Sequence, residues 1–419
     1  MAISKHDLRY IRSTKQSTAR ERADELKKHA DEFLAAKRYI DTGFSIQEDA
    51  QEIKARILDL FNATEDDWQS WRWQLKNRIT DAITLAKVIK LTNKEIDQVN
   101  RVGKCFRWAI SPYYVSLMSP TERWGPIRRQ SIPSVLELQG DSGTDDPSGE
   151  EYTSPVDAVV RRYPDRLIVN TTNQCATFCR HCQRRRNIGL SDRHTPKGKL
   201  QEALAYIKEN EEVRDVIITG GDPLMFADKT IEWLLSELHS IDHVEIKRIG
   251  TRTLATMPQR ITKELCDIIE KYPPVYINTQ FNHPREVTPE AAEACDRLIK
   301  AGAVISNQAV LLKGVNNDPH VMKVLNHELL KIRVRPYYLF QAKPVRGTAH
   351  FITSIKEGLE IMRNLRGYTS GLAIPTYIIS APDGLGKVPV SDINAWEGAD
   401  GEILLKTWED KIVNTSYPT

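Results

Sequence analysis

Six cysteines in 419 residues are too few for a disulfide scaffold, and none lies beyond Cys295. Charge of one sign is also missing. The chain sets 59 Lys and Arg against 56 Asp and Glu, a formal +3, and the two signs are interleaved, so nothing pulls it as a whole toward nucleic acid or a membrane surface. No apolar run approaches the length that spans a bilayer. The opening Met-Ala-Ile-Ser-Lys-His-Asp-Leu-Arg lacks the apolar core of a signal peptide, and there is no low-complexity tail. These absences predict a cytoplasmic protein with no membrane or nucleic-acid partner, long enough for two or three domains around a large core.

What the chain does have is concentrated. Three of its six cysteines, Cys175, Cys179 and Cys182, stand as C-x3-C-x2-C directly after a predicted strand, Arg166–Thr171. Three thiolates in one tight loop can hold three irons of a cubane cluster and leave the fourth iron open to a ligand. Structural zinc wants four ligands, and no fourth Cys or paired His lies at zinc-finger spacing. The bland alternative is a chance cluster of buried thiols. Thiols that ligate iron must stay reduced, which implies an oxygen-sensitive site.

The organisation around this loop reads in four parts. Residues 1–139 form a helical N-terminal region, with helices expected over Thr18–Arg38 and Ile46–Phe61 and again from Trp68 to about Met118. The arm at 1–60 reads as a solvated helix lying on the body or on a neighbouring subunit, without a chemical role. Trp68, Trp71 and Trp73 are read as core rather than as a base-stacking platform. Residues 140–160, rich in Gly, Asp, Ser and Pro over Gly140–Ser154, read as a surface linker. Over 161–370, β-rich runs alternate with amphipathic stretches. The strands are Arg166–Thr171, Asp215–Thr219, Val244–Ile249, Val275–Gln280, Val304–Leu311 and Arg335–Gln341. The helices are Lys197–Asn210, Thr230–Ser240, Pro258–Lys271, Pro289–Ala301, Pro319–Lys331 and Ser354–Leu365. Six strand–helix units predict an α/β fold with a parallel sheet, too short for a closed eight-stranded barrel: an open, TIM-like partial (β/α)6 barrel. A further strand, Pro375–Ser380, opens the final segment 371–419. Cys175, Asp222, Arg252, His283 and Lys343 all fall just past the carboxyl end of a predicted strand, on the rim where such barrels build their active sites.

Beyond the cysteine loop, the chain carries Arg-Tyr-Pro-Asp-Arg at 162–166, Cys-Arg-His-Cys-Gln-Arg-Arg-Arg at 179–186 and Gly-Gly-Asp-Pro-Leu at 220–224. It also carries Phe-Asn-His-Pro at 281–284, Asn-Gln-Ala-Val-Leu-Leu-Lys-Gly at 307–314 and Ala-Pro-Asp-Gly-Leu-Gly-Lys at 381–387. This ordered set resembles the 2,3-aminomutases of the radical S-adenosylmethionine enzymes, lysine and glutamate 2,3-aminomutases among them. The resemblance implies three cofactors: a [4Fe–4S] cluster on Cys175, Cys179 and Cys182, S-adenosylmethionine on its open iron, and pyridoxal phosphate. It assigns S-adenosylmethionine to Gly220, Gly221 and Asp222, with Gln308 near its nucleoside or, alternatively, in a core hydrogen bond; His181, inside the cysteine loop, either caps the adenine by stacking or faces solvent. It assigns pyridoxal phosphate to Arg162, Tyr163 and Arg166, and to Lys387 as the Schiff-base lysine. It makes Arg184 the grip on the substrate α-carboxylate, and it implies a small-molecule amino acid substrate, an electron donor such as flavodoxin or ferredoxin, and a homo-oligomer. Residue chemistry agrees in part. A lysine following Gly384 and Gly386 can approach a planar cofactor, and partial burial would free its neutral amine; a surface lysine after a turn is the ordinary alternative. Read alone, Arg184-Arg185-Arg186 suggests a solvated face or a nucleic-acid patch.

The substrate is read from a departure. Where lysine 2,3-aminomutases place two aspartates, this chain has Lys343 and Ser380. A lysine ε-ammonium would stand unpaired beside Lys343, so an anionic side chain is expected and L-glutamate is favoured. Ser380 departs from the asparagine of the glutamate type and keeps other acidic or polar amino acids open, as do the lysine reaction and action on a protein lysyl residue. A non-enzymatic zinc or nucleic-acid module is the reading from a different class. Zinc is not expected, because the lysine-type enzymes hold it on a C-terminal cysteine cluster that this chain lacks. Cys105, Cys266 and Cys295 read as buried thiols.

Overall fold

A computed structural model describes residues 5–139, 143–392, 394–397 and 403–415. The first three residues of the expected linker and parts of the final segment lie outside the described residues. The body is built on a nine-stranded sheet: β1 (Val159–Val160), β2 (Arg166–Asn170), β3 (Asp215–Thr219), β4 (Ile246–Gly250), β5 (Val275–Thr279), β6 (Val304–Leu311), β7 (Arg335–Gln341), β8 (Thr376–Ser380) and β9 (Lys387–Pro389). From β2 to β8 each strand pairs in parallel with the next in sequence, and β1 and β9 close the edges antiparallel. Strand order never reverses, so every crossover adds its strand on the same side. The partial barrel expected from six strand–helix units is the observed architecture, with β8 as a seventh parallel strand.

Local sequence explains the elements. β3 is Asp-Val-Ile-Ile-Thr, β-branched at four of its five positions, and β6 alternates buried and half-buried residues along its length. Three of the outer helices begin at side-chain caps: Thr288 before Pro289, Asp318 before Pro319, and Ser354 in a capping box with Glu357. The Thr262 hydroxyl caps Lys263–Lys271, which is why the single helix expected over Pro258–Lys271 is instead a 3-10 turn, Pro258–Arg260, followed by a separate helix. The fourth strand starts two residues later than expected, at Ile246.

The N-terminal helix Lys5–Lys37 lies on the body. Phe33 sits beside His320 and His327, with the Lys323 ammonium 4.1 Å from its ring centre. Trp68 and Trp71 are buried, Trp71 within the barrel core, so neither is a stacking platform. The stretch expected as a surface linker differs from that expectation: Ser148 and Glu150 are 4% and 5% exposed, and Thr144 forms a parallel bridge with Val345. Asp146 and Glu150 find arginines of the cysteine loop, and that pairing draws the segment inward. At the other end, β10 (Ala395–Glu397), β11 (Ile403–Lys406) and β12 (Ile412–Thr415) form a small antiparallel sheet.

Candidate active site

A cavity of about 290 Å³ opens at the carboxyl ends of the strands. Cys175, Cys179 and Cys182 line one part of it, and Lys387, Lys343, Ser380, Arg162, Tyr163 and Arg184 line another. His181, Gly220, Gly221, Asp222 and Gln308 line it as well. Residues more than two hundred positions apart in sequence therefore share one hollow.

The cysteine loop is held from behind by the N-terminal region. Phe178 packs with Ala109 and Ile188, its N–H donates to Ala109 O at 2.9 Å, and the Arg78 and Arg107 guanidiniums lie over its ring at 5.6 and 4.8 Å. Arg78 Nη1 donates to Cys175 O at 2.7 Å, and Arg180 N–H donates to Gln130 O at 2.8 Å. The basic run is not a surface patch: Arg180 and Arg185 both turn onto the buried carboxylate of Glu137. The thiols themselves are free. Burial pushes the Cys175 thiol well up and the Cys182 thiol to about 11, so a metal binding here must displace protons. Among the described residues no group of three or more His, Cys, Asp or Glu is arranged to hold a single metal ion. A cubane asks for something else, one thiolate per iron, and three free thiols facing one cavity fit that demand. Arg252 Nη1 reaches Cys179 Sγ at 2.7 Å while its Nη2 is held by Gln130 Oε1 and Glu286 Oε1, both at 2.6 Å. His181 is kept neutral by burial. Its Nε2 lies 3.2 Å from Gln280 Nε2, and its buried Nδ1 has no partner.

The other end of the cavity is cationic. β9 pairs antiparallel with β8 so that Lys387 stands opposite Ser380. The turn between them needs left-handed backbone at Gly384 (φ 75°) and Gly386 (φ 101°); a Cβ on Gly386 would lie 3.1 Å from Tyr163 Oη. That close approach lets the Lys387 N–H donate to Tyr163 Oη at 2.8 Å. The Lys387 ammonium nitrogen sits 4.8 and 5.0 Å from the ring centres of Tyr338 and Phe340. Burial, then the charges of Arg248, Arg166, Arg162 and Lys343, bring its pKa from 10.5 down to about 7. A half-neutral amine beside aromatic rings, with guanidiniums at hand, suits the aldehyde and phosphate of pyridoxal phosphate. Lys343 is brought to about 8 by burial and by Arg162 and Arg184, against the pull of Glu150 and Asp146. Its ammonium donates to Ser148 Oγ at 2.5 Å. Arg184 forks onto Glu150, with Nε at 2.9 Å and 3.2 Å from the two carboxylate oxygens and Nη2 at 2.9 Å from Oε1.

Three sequence expectations change here. Arg166 does not line the cavity; its guanidinium is stacked 3.8 Å over the Tyr163 ring, a layer behind. The Gly221 N–H donates to Thr172 O. A Cβ at Gly220 or Gly221 would stand 2.5 Å from the backbone oxygens of Thr172 and Gln174, so both glycines let β3 close onto the cysteine loop. The Asp222 carboxylate is also fully engaged, by Thr251 Oγ1, the Arg252 N–H, Thr253 Oγ1 and the Leu224 N–H, between 2.8 and 3.1 Å. It braces the rim rather than presenting a free carboxylate. Glu150, Gln280, Tyr338 and Phe340 were not anticipated. Only the strand-end positions of Gln280 and Phe340 carried a signal, and Glu150 had none.

Comparison with known proteins agrees with this arrangement. Residues 169–325 match the radical SAM superfamily, and residues 362–419 match a lysine-2,3-aminomutase family. The chain is 55% identical over 393 residues to a glutamate 2,3-aminomutase of Clostridioides difficile (strain 630), covering 94% of this chain and 93% of that one. It is 44% identical to L-lysine 2,3-aminomutases of Clostridium subterminale, over 87% of this chain and 88% of that one, and of Bacillus subtilis (strain 168), over 84% and 75%. Members of the family use a [4Fe–4S] cluster, S-adenosylmethionine and pyridoxal phosphate. With identity of this extent across nearly the whole chain, and one cavity joining three cysteines to a buried lysine, the protein belongs to the radical S-adenosylmethionine 2,3-aminomutases, a family of isomerases.

Proposed function

We propose that the protein moves the α-amino group of free L-glutamate to its β-carbon, with pyridoxal phosphate held by Lys387. The observation that carries this reading is Lys343: a buried ammonium in the same cavity as Lys387 and Arg184. Arg162 and Ser380 line the same end, and the buried Glu150 carboxylate beside it is already paired to Arg184. A substrate carboxylate meets an opposite charge there, whereas a lysine side chain meets a like one. The higher identity to the glutamate enzyme than to the lysine enzymes points the same way.

In this reading Cys175, Cys179 and Cys182 ligate the cluster, His181 and Gln308 face the nucleoside, and the Arg162 guanidinium takes the cofactor phosphate beside the Tyr163 ring. Arg184 grips the α-carboxylate, and Lys343 with Ser380 receives the side-chain carboxylate. When bound, the cluster and S-adenosylmethionine supply hydrogen-atom abstraction, and pyridoxal phosphate carries the migrating amino group. The protein's part is alignment and exclusion of water: two anchored carboxylates fix the carbon chain so that the α- and β-carbons face the radical source. We assign the reaction to the cytoplasm, with a flavodoxin- or ferredoxin-type donor and a homo-oligomeric enzyme. Anaerobically reconstituted protein incubated with single amino acids tests the substrate. β-Glutamate from glutamate is the expected product; β-lysine from lysine, with glutamate inert, would overturn the assignment, and inertness toward every free amino acid would favour a protein lysyl residue.

A further inference from the structure

The segment 143–154 ties the two anion-receiving cations of the cavity together. At one end, Thr144 bridges to Val345, donates its N–H to Pro344 O at 3.0 Å and accepts the Arg346 N–H at 3.2 Å, which fixes it to the loop after β7 that carries Lys343. At the other, Asp146 pairs with Arg186 at 2.5 Å and Glu150 forks onto Arg184. The turn between them lies under the loop that leads to Lys387: a Cβ on Gly149 (φ 58°) would stand 3.0 Å from the Asp383 backbone. Ser148 and Glu150, two residues apart, thus reach Lys343 and Arg184 from a single anchored strap.

We propose that Ser148 and Glu150 are positioning residues that set the two ends of the substrate, Glu150 by aiming Arg184 and Ser148 by aiming Lys343. This rests on the reading of the substrate as L-glutamate. A guanidinium has two usable edges. Glu150 takes the Nε–Nη2 edge, which leaves the Nη1 edge for a second carboxylate. Substrate therefore does not have to displace Glu150. The buried carboxylate offsets one of four neighbouring cations and holds a long, flexible side chain in one orientation. Ser148 accepts one of the three ammonium protons of Lys343 and leaves two for the side-chain carboxylate.

The two halves have different signatures. Every amino acid has an α-carboxylate, so Glu150→Ala weakens L-glutamate and L-glutamine by the same factor, about tenfold or more for a lost charge-assisted bond. Ser148→Ala weakens L-glutamate several-fold and leaves L-glutamine unchanged. Dissociation constants of both amino acids, by calorimetry on cofactor-loaded protein, and KM with kcat for glutamate read the pattern. KM is expected to rise with kcat held, and Glu150→Gln, which keeps shape and one acceptor, is expected to restore part of the loss. Glu150→Ala binding glutamate as tightly as the unmodified protein, or more tightly as a removed competitor would, overturns the proposal. So does Ser148→Ala weakening both amino acids alike. If the unmodified protein prefers lysine to glutamate, the glutamate reading falls, and the Ser148 half falls with it. Preference for glutamate with unchanged variants sinks the inference alone.

Discussion

The two ends of the cavity are built on opposite plans. At the cysteine end the ligands come from eight consecutive positions, and the supporting groups (Phe178, Arg180, Arg252) are tied to backbone or to neutral and acidic partners of the N-terminal region. At the lysine end Arg162, Arg184, Lys343 and the Ser380–Lys387 hairpin arrive from four separate stretches, four of these five residues are cationic, and one buried carboxylate, Glu150, pairs with Arg184 beside them. The first end is made for a cofactor that brings its own charge and geometry. The second places like charges together out of water, which suits anions, and its behaviour therefore depends on protonation. The cysteine end should fail all at once when broken, and the lysine end by degrees.

Cys182→Ala is the largest break expected. Two remaining thiolates do not retain the cluster, so iron and sulfide after anaerobic reconstitution should fall below about a tenth of the unmodified protein and turnover should vanish. The fold should be retained, since the thiol lies on the cavity wall; circular dichroism checks this. Lys387→Ala should abolish turnover as completely while leaving iron content untouched, with loss of the visible absorbance of lysine-bound pyridoxal phosphate. Retention of that absorbance would remove Lys387 from the site. The two variants separate the ends, one losing iron and the other losing the aldehyde.

Lys343→Met sharpens the comparison, because it alters charge without touching either cofactor's anchor. Losing one partner of a buried charge pair costs roughly 2–5 kcal/mol, so kcat/KM for L-glutamate should drop about 30-fold or more, with iron and cofactor absorbance unchanged. A drop of less than threefold would place the side-chain carboxylate elsewhere in the cavity.

This difference in plan also decides what could be read from the chain. The cysteine loop was legible because its ligands are neighbours in sequence. The barrel was legible because β-branched runs alternate with capped amphipathic helices. Lys387 was singled out by the resemblance of the word that ends in it, and the structure places it on the cavity wall after Gly384 and Gly386, both at positive φ. Glu150 was not legible: a glutamate in a Gly- and Ser-rich stretch reads as solvated, and only the fold brings Arg184 to it. The triplet Arg184-Arg185-Arg186, a solvated face when read alone, was turned inward by its place directly after Cys182, but its partners were not legible, since Glu137, Glu150 and Asp146, which neutralise it, lie some forty residues upstream. Asp222 and Gly221 show the converse. Their motif was visible, but not that the Asp222 carboxylate is engaged by Thr251 and Thr253 and that the Gly221 N–H donates to the Thr172 backbone.

The finest contrast lies between two lysines of the same cavity that must work in opposite states. In the proposed function Lys387 captures the cofactor as a neutral amine. With its pKa brought down to about 7, the rate of pyridoxal phosphate capture should rise about tenfold per pH unit below 7 and level off above it, where an ordinary lysine would go on gaining to about 10.5. In the same proposal Lys343 would receive a carboxylate as an ammonium, and its pKa is brought down to about 8. Glutamate affinity should therefore be full below pH 8 and decline as pH rises through it, the reverse direction. Stopped-flow absorbance follows the first limb and calorimetric titration of glutamate the second. Because the Lys343 charge helps to depress Lys387, Lys343→Met should also move the capture limb to higher pH, while Lys387→Ala should move the glutamate limb, if at all, upward. A capture limb that stays fixed in Lys343→Met would mean that the two amines do not sense each other, and the lysine end would then be two independent sites rather than one charged unit.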